Sequence, residues 1–184
     1  VDSMALLNIL YNIGYQIEVA HVNYNIRKDS SKDYELIKKY CNPKGIKTHY
    51  KSIIKPLSCN TQNEARKERF KFYKEISRKS GINTIMLGHH QDDHIETYLL
   101  QKDRNIVIQY YGLQYIREVL AMTIVRPMLN ISKKDIIKYA KDNNVIWNED
   151  ETNSKNIYKR NAIRNNILSN FPWLKKKLIL LEIK

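Results

Sequence analysis

The chain has 184 residues, 42% of them hydrophobic, and lysine plus arginine outnumber aspartate plus glutamate by 32 to 19, a formal charge of +13. That length supports one good core and at most a small second lobe. The charge favours a polyanionic partner such as RNA or DNA, although Lys, Asn and Ile are abundant throughout and a compositional bias supplies an alternative source for part of it. The sequence has no long apolar run and no basic N-terminal segment followed by an apolar one. It therefore supports neither a membrane span nor a secretory signal, and the expected location is cytoplasmic. Cys41 and Cys59 stand apart, outside any CxxC spacing, which argues against a metal cluster and gives no disulfide framework.

In chain order, Asp2 to Ile13 carries Met4, Leu6, Leu7 and Leu10 at helical spacing, and Gly14 is a stop signal. Ile17 to Asn23 alternates as a strand. Ser30 or Ser31 can cap a helix through Leu36, Ile37 and Tyr40, and Gly45 precedes a second strand over Ile46 to Ile53. A long helix from Asn60 to Lys79 carries Ala65, Phe70, Phe72, Tyr73 and Ile76. Gly81 ends it before a buried strand over Ile82 to Leu87. Lys102 to Glu118 is irregular and reads as a lid or excursion. Thr123 to Leu129 is a last strand broken at Pro127; Ser132 opens a helix through Ile136, Ile137 and Tyr139; Asn153 or Ser154 opens another through Ile157, Ile163 and Ile167. Strands alternating with helices of ten or more residues predict an α/β fold, a parallel sheet with helices on both faces, with a small helical segment at the C-terminus. The ligand crevice of such a sheet lies beyond the strand carboxyl ends.

The segment LGHHQDDHIETYLL, Leu87 to Leu100, falls at that place. Asp93 and Glu96 are three apart, so on a helix they share a face and can hold one cation or ammonium group. The competing reading is a capping box, in which Asp92 or Asp93 accepts first-turn amides and Glu96 reaches back. His90 and His94, four apart, admit a zinc site, but the spacing is not HExxH, and His89 and His90 belong to the strand end rather than the helix, where the four-residue spacing would fail. Arg66 and Arg69 in NEARKERF can form a phosphate clamp or simply belong to a solvated charged face. Arg160 and Arg164, four apart behind Glu149, Asp150 and Glu151, pose the same choice.

Taken together, HVNYNIR (His21 to Arg27), NEARKERF (Asn63 to Phe70), LGHHQDDHIETYLL, VRPML (Val125 to Leu129) and WNEDETNSKNIYKRNAIR (Trp147 to Arg164) resemble the tRNA(Ile)-lysidine synthases, members of the N-type ATP pyrophosphatases. The resemblance implies an adenine nucleotide alpha hydrolase-like, Rossmann-like fold, with a PP-loop domain over 1–130 and a helical extension over 131–184. Relatives carry SGGxDS between the first strand and first helix. This chain opens with Val1, Asp2 and Ser3, so the resemblance predicts a preceding strand and Ser-Gly-Gly. Tyr24 stands where relatives often have a second histidine, and the RGxG that commonly follows ETxLL is replaced by Lys102 to Tyr111.

The implied reaction uses ATP and magnesium to adenylate the wobble cytidine of an isoleucine tRNA with a CAU anticodon, after which the amine of free L-lysine displaces AMP. The implied roles are Asp2 and Asp93 for magnesium; Val1, Asp2, Ser3, His89 and Arg69 for the nucleotide; and Asp93, Glu96, Arg66, Arg160 and Arg164 for catalysis, with Asp93 and Glu96 on the lysine. A homodimer is compatible with this reading. The rivals are a tRNA thiolase of the same superfamily, which would need paired CxxC cysteines, and a non-catalytic RNA-binding paralogue.

Overall fold

A computed structural model describes residues 1–25, 30–53, 61–103, 109–148 and 171–183. Its elements are α1 (Asp2–Asn12), β1 (Glu18–Asn23), α2 (Ser30–Cys41), a 3₁₀ turn (Asn42–Lys44), β2 (Lys47–Ser52), α3 (Thr61–Ser80), β3 (Thr84–Met86), α4 (Gln91–Lys102), β4 (Ile116–Val119), β5 (Met122–Val125), α5 (Lys133–Asp142) and α6 (Trp173–Glu182). The helix predicted over Ile157 to Ile167 lies outside the described residues.

β1 pairs in parallel with β2, and β3 pairs in parallel with β5, as expected for strands joined through helices. The placement of the helices follows from side-chain alternation. On β3, Ile85 packs against Phe70 and Tyr73 of α3, whereas the next residue, Met86, packs with Ala5 and Leu6 of α1 and Ile136 of α5. Successive strand side chains point to opposite faces, so α3 covers one face while α1 and α5 cover the other. Met4 and Leu7 continue the second layer over Cys41, Ile46, Ala140 and Val145. α4 and α6 form a satellite, with Ile95 and Tyr98 against Ile179 and Ile183. Lys176 Nζ reaches Asp92 Oδ1 at 2.8 Å across the same contact.

β4 corrects the sequence reading. The stretch read as a lid or excursion ends in an antiparallel strand whose Val119 pairs with Met122 of β5. The two-residue turn between them, Leu120 and Ala121, takes φ of 54° and 59°. Such turns ordinarily announce themselves by Asn-Gly or Asp-Gly; here neither residue gives the signal. The predicted break of β5 at Pro127 is close to the observed end at Val125.

Among the described residues β1 pairs only with β2, and β3 only with β5, so each presents an open edge to the other. Between these edges lies a cavity of about 450 Å³, lined by Leu6, Leu7 and Leu10 of α1, Val19 of β1, Ile85 of β3 and Ile76 of α3. Among the described residues no helix is long and apolar enough to cross a membrane.

Candidate functional site

α4 begins just beyond β3, and its first turn is closed by its own side chains. His90 is the N-cap, in extended backbone geometry. Its Nδ1 accepts the Asp92 N–H at 3.2 Å, and the Asp93 Oδ2 accepts the His90 N–H at 2.9 Å. A capping box is therefore present, but its members are His90 and Asp93 rather than the Asp92 or Asp93 with Glu96 of the competing reading. With the helix starting at Gln91, Asp93 is the third residue and can reach back, whereas Glu96 is a full turn further on and cannot. Glu96 is instead buried, 2% exposed.

Because His90 Nδ1 accepts a backbone N–H, its proton sits on Nε2. That nitrogen faces Asp93 Oδ2 at 3.4 Å and Asp2 Oδ1 at 3.9 Å. Burial holds the His90 pKa below the ordinary histidine value, against the opposing pull of Asp93 and Asp2. The neutral ring is thus a donor placed between two carboxylates.

Two further helices start at the same point. Asp2 opens α1, and its carboxylate oxygens accept from Lys133 Nζ at 2.6 and 2.7 Å. Lys133 opens α5, where the Ser132 hydroxyl caps the helix by accepting the Asp135 N–H at 3.1 Å. The approach is close: a Cβ on Gly88 would stand 3.1 Å from the Asp2 carbonyl carbon and 3.2 Å from the Ser3 nitrogen. Glycine at the end of β3 therefore lets the start of α1 lie against it. Three helix N-termini, each with partly positive amides, consequently meet around Asp2, His90 and Lys133.

His89 is held from the other side. Arg126, 2% exposed, donates from Nε to His89 Nδ1 at 3.1 Å and from Nη1 to the Gln114 carbonyl at 2.6 Å. The Arg126 N–H also donates to the Tyr115 carbonyl at 2.9 Å. Burial lowers the guanidinium pKa, and Arg66 and Arg117 lower it further by like-charge repulsion. The loop before β4 is pinned to α4 as well. His94 Nδ1 accepts the Leu113 N–H at 2.8 Å, and Gly112, at φ +73°, lies where a Cβ would come within 2.7 Å of the His94 ring.

The other expected site residues separate. Arg66 is exposed and places its guanidinium 5.1 Å from the Phe70 ring centroid. Arg69 is half-buried, within electrostatic reach of the Tyr24 and Tyr73 hydroxyls. Val1 precedes α1 and packs partly buried against Met4 and Leu7; Ser3 is exposed. Arg160 and Arg164 lie outside the described residues, as does Cys59; Cys41 is buried, and burial raises its thiol pKa. Sequence reasoning gave no role to Lys133 or Arg126. Ser132 marked the helix start that carries Lys133, and VRPML was singled out as a motif, but neither pairing is visible across the intervening chain.

Zinc and magnesium make different demands on these residues. Zinc wants three or four tight protein ligands, and among the described residues no group of three His, Cys, Asp or Glu side chains is so arranged. Magnesium commonly takes one or two carboxylates together with water and phosphate oxygens. Asp2 and Asp93, flanking His90, form a donor set of that kind, and the Lys133 ammonium already shows that Asp2 receives a cation here.

A parallel α/β sandwich with helix N-termini gathered beyond its strand ends is a doubly wound protein with its ligand crevice in the usual place. Residues 1–171 match the model of the PP-loop domain, and the chain belongs to that family. It is similar to the tRNA(Ile)-lysidine synthase of Mesoplasma florum, 42% identical over 171 residues, covering 90% of this chain and 43% of that protein. It is also similar to the tRNA(Ile)-lysidine synthase of Mycoplasmopsis pulmonis, 37% identical over 184 residues, covering 99% of this chain and 63% of the other. The chain thus spans roughly half the length of these relatives. Among solved structures, a U34-tRNA thiolase from Methanococcus maripaludis with its [4Fe-4S] cluster superposes with a TM-score of 0.71 at 15% identity, covering 99% of this chain and 66% of that one. That likeness is one of fold.

Proposed function

We propose that this chain carries the ATP site of a cytoplasmic tRNA(Ile)-lysidine synthase, which joins free L-lysine to the wobble cytidine of the isoleucine tRNA with a CAU anticodon. The observation that carries the reading is the meeting of Asp2, His90, Asp93 and Lys133 at three helix N-termini, in a chain similar to such synthases over most of its length. Helix N-termini favour a polyphosphate electrostatically. A magnesium ion bound by Asp2 and Asp93 would supply further charge neutralisation at the phosphates.

In this reading the cytosine carbonyl oxygen attacks the α-phosphate of ATP and pyrophosphate leaves. The lysine amine then attacks the ring carbon that bears this oxygen, the carbon–oxygen bond breaks, and AMP leaves with the oxygen. Asp93 and Glu96, one turn-face of α4, hold the lysine side-chain ammonium and accept its proton, since only the neutral amine is a nucleophile. His89 faces the nucleotide. Arg66, Arg69, Arg160 and Arg164 supply positive charge to the phosphates and the cytidine. Val1 and Ser3 flank the phosphate cradle, and a strand ending in Ser-Gly-Gly ahead of α1 would occupy the slot between β1 and β3. Basic residues of the C-terminal part, from residue 131, would face the tRNA.

The test is pyrophosphate release from ATP by the chain extended with such a strand. The reading requires release that depends on the CAU-anticodon tRNA; release that instead requires a sulfur donor would favour a thiolase, and tRNA binding with no release at any lysine concentration would favour a non-catalytic RNA-binding protein.

A further inference from the structure

Arg126 is nearly absent from solvent, yet among the described residues none of its hydrogen-bond partners is a carboxylate. Burying a guanidinium is costly unless its donors are used, and here the partners are the His89 ring and the carbonyl of Gln114, with Arg66 and Arg117 adding like charge. An arrangement that costs stability and orients a candidate site residue points to function rather than to packing.

The contact also fixes a proton. Arginine stays protonated throughout the accessible pH range, and its Nε is only ever a donor. His89 Nδ1, 3.1 Å away, must therefore accept with its lone pair. The neutral ring then carries its proton on Nε2, which makes that nitrogen a donor. The ring's plane is fixed by the same bond. Arg126 in turn is braced by the loop before β4 through its Nη1 bond to Gln114 and its backbone bond to Tyr115. That loop is pinned to α4 by the Leu113 to His94 and Gly112 to Gln101 bonds, the latter at 2.6 Å. The chain of contacts runs from α4 through the loop and Arg126 to His89.

We propose that Arg126 is the positioning residue that holds His89 as an Nε2–H donor toward an oxygen of the bound nucleotide. This rests on the nucleotide site proposed above, but its first half is a statement about the ligand-free protein. Lysine at position 126 would keep the charge and lose the planar fork that reaches both His89 and Gln114.

The experiment is ¹⁵N NMR of the histidine rings in the chain extended by the strand ending in Ser-Gly-Gly, with His89→Gln assigning the His89 signals, followed by titration with ATP. Wild-type His89 is expected as the Nε2–H tautomer. In Arg126→Lys the ring is expected to become a mixture of tautomers, with ATP affinity falling about tenfold, the scale of one lost charge-assisted or orienting hydrogen bond. An Nδ1–H tautomer in the wild type overturns the proposal without any variant, so a poorly folded Arg126→Lys does not protect it. An unchanged tautomer in folded Arg126→Lys also overturns it, as does a changed tautomer with undiminished ATP affinity. Failure of the wild type to bind ATP at all, with the His89 tautomer as expected, would instead strike at the proposed nucleotide site.

Discussion

Lys133 Nζ grips both carboxylate oxygens of Asp2, at 2.6 and 2.7 Å, bringing the first residues of α5 and α1 together across 131 positions of sequence. Each side chain keeps about a third of its surface exposed, 35% for Lys133 and 29% for Asp2. The pair therefore contributes modestly, up to about 1 kcal/mol. Its importance is positional, because a cation already occupies the carboxylate proposed for magnesium. Lys133→Met should tighten magnesium binding to the nucleotide-free protein by roughly twofold to fivefold, the equivalent of losing that competing pair. Calorimetric titration checks this; weaker or unchanged binding in the variant would argue that Asp2 is not a magnesium ligand.

The β4–β5 turn is a place where the chain departs from the cheapest solution. Leu120 and Ala121 both sit in left-handed backbone, and Leu120 is exposed. Asn-Gly suits such a turn without that cost. The double substitution Leu120→Asn, Ala121→Gly should stabilise the fold by about 1–2 kcal/mol. Urea unfolding measures it, and a loss of stability would mean that the turn does not have this geometry.

His21 on β1 makes stability depend on pH. Its ring stacks against Tyr34 and Tyr50, at centroid distances of 6.0 Å, and its Nε2 is buried without a hydrogen-bond partner among the described residues. Burial lowers its pKa below 6.5, more than the opposing charge of Asp33 raises it. The unfolded chain therefore takes up the proton first as the solution is acidified. Stability tied to this group is full above about 6.5 and is lost as pH falls through the depressed folded value. His21→Gln should show a smaller drop in urea midpoint between pH 7.5 and 5.5 than the wild type. An equal drop would assign the dependence elsewhere.

Most of the fold was legible because its signals are local. Apolar spacing with Gly14 and Gly81 as punctuation located α1 and α3 within a residue or two, Ser132 marked the start of α5, and the strand-to-helix change at Gly88 located the crevice. β4 was not legible, since its turn lacks Asn and Gly and its Ile116–Glu118 stretch is exposed. At the site, the DxxE spacing placed Asp93 and Glu96 on α4, but the capping box weighed as its alternative has other members, because a histidine side chain does the capping. Lys133 with Asp2, and Arg126 with His89, are pairings made by the sheet, and no spacing rule reaches them.

Presentation of lysine by α4 to an activated cytidine, as proposed above, is tested most directly by transfer of radiolabelled L-lysine into the CAU-anticodon isoleucine tRNA. The enzyme is the chain extended by a strand ending in Ser-Gly-Gly, supplied with ATP and magnesium. Label should enter the tRNA only with ATP present, and Glu96→Ala should raise the lysine concentration needed for half-maximal rate by about tenfold or more, the equivalent of one charge-assisted contact. Normal transfer by Glu96→Ala at limiting lysine would remove Glu96 from the lysine site, and no ATP-dependent label in the tRNA with the folded, extended chain would contradict the claim itself.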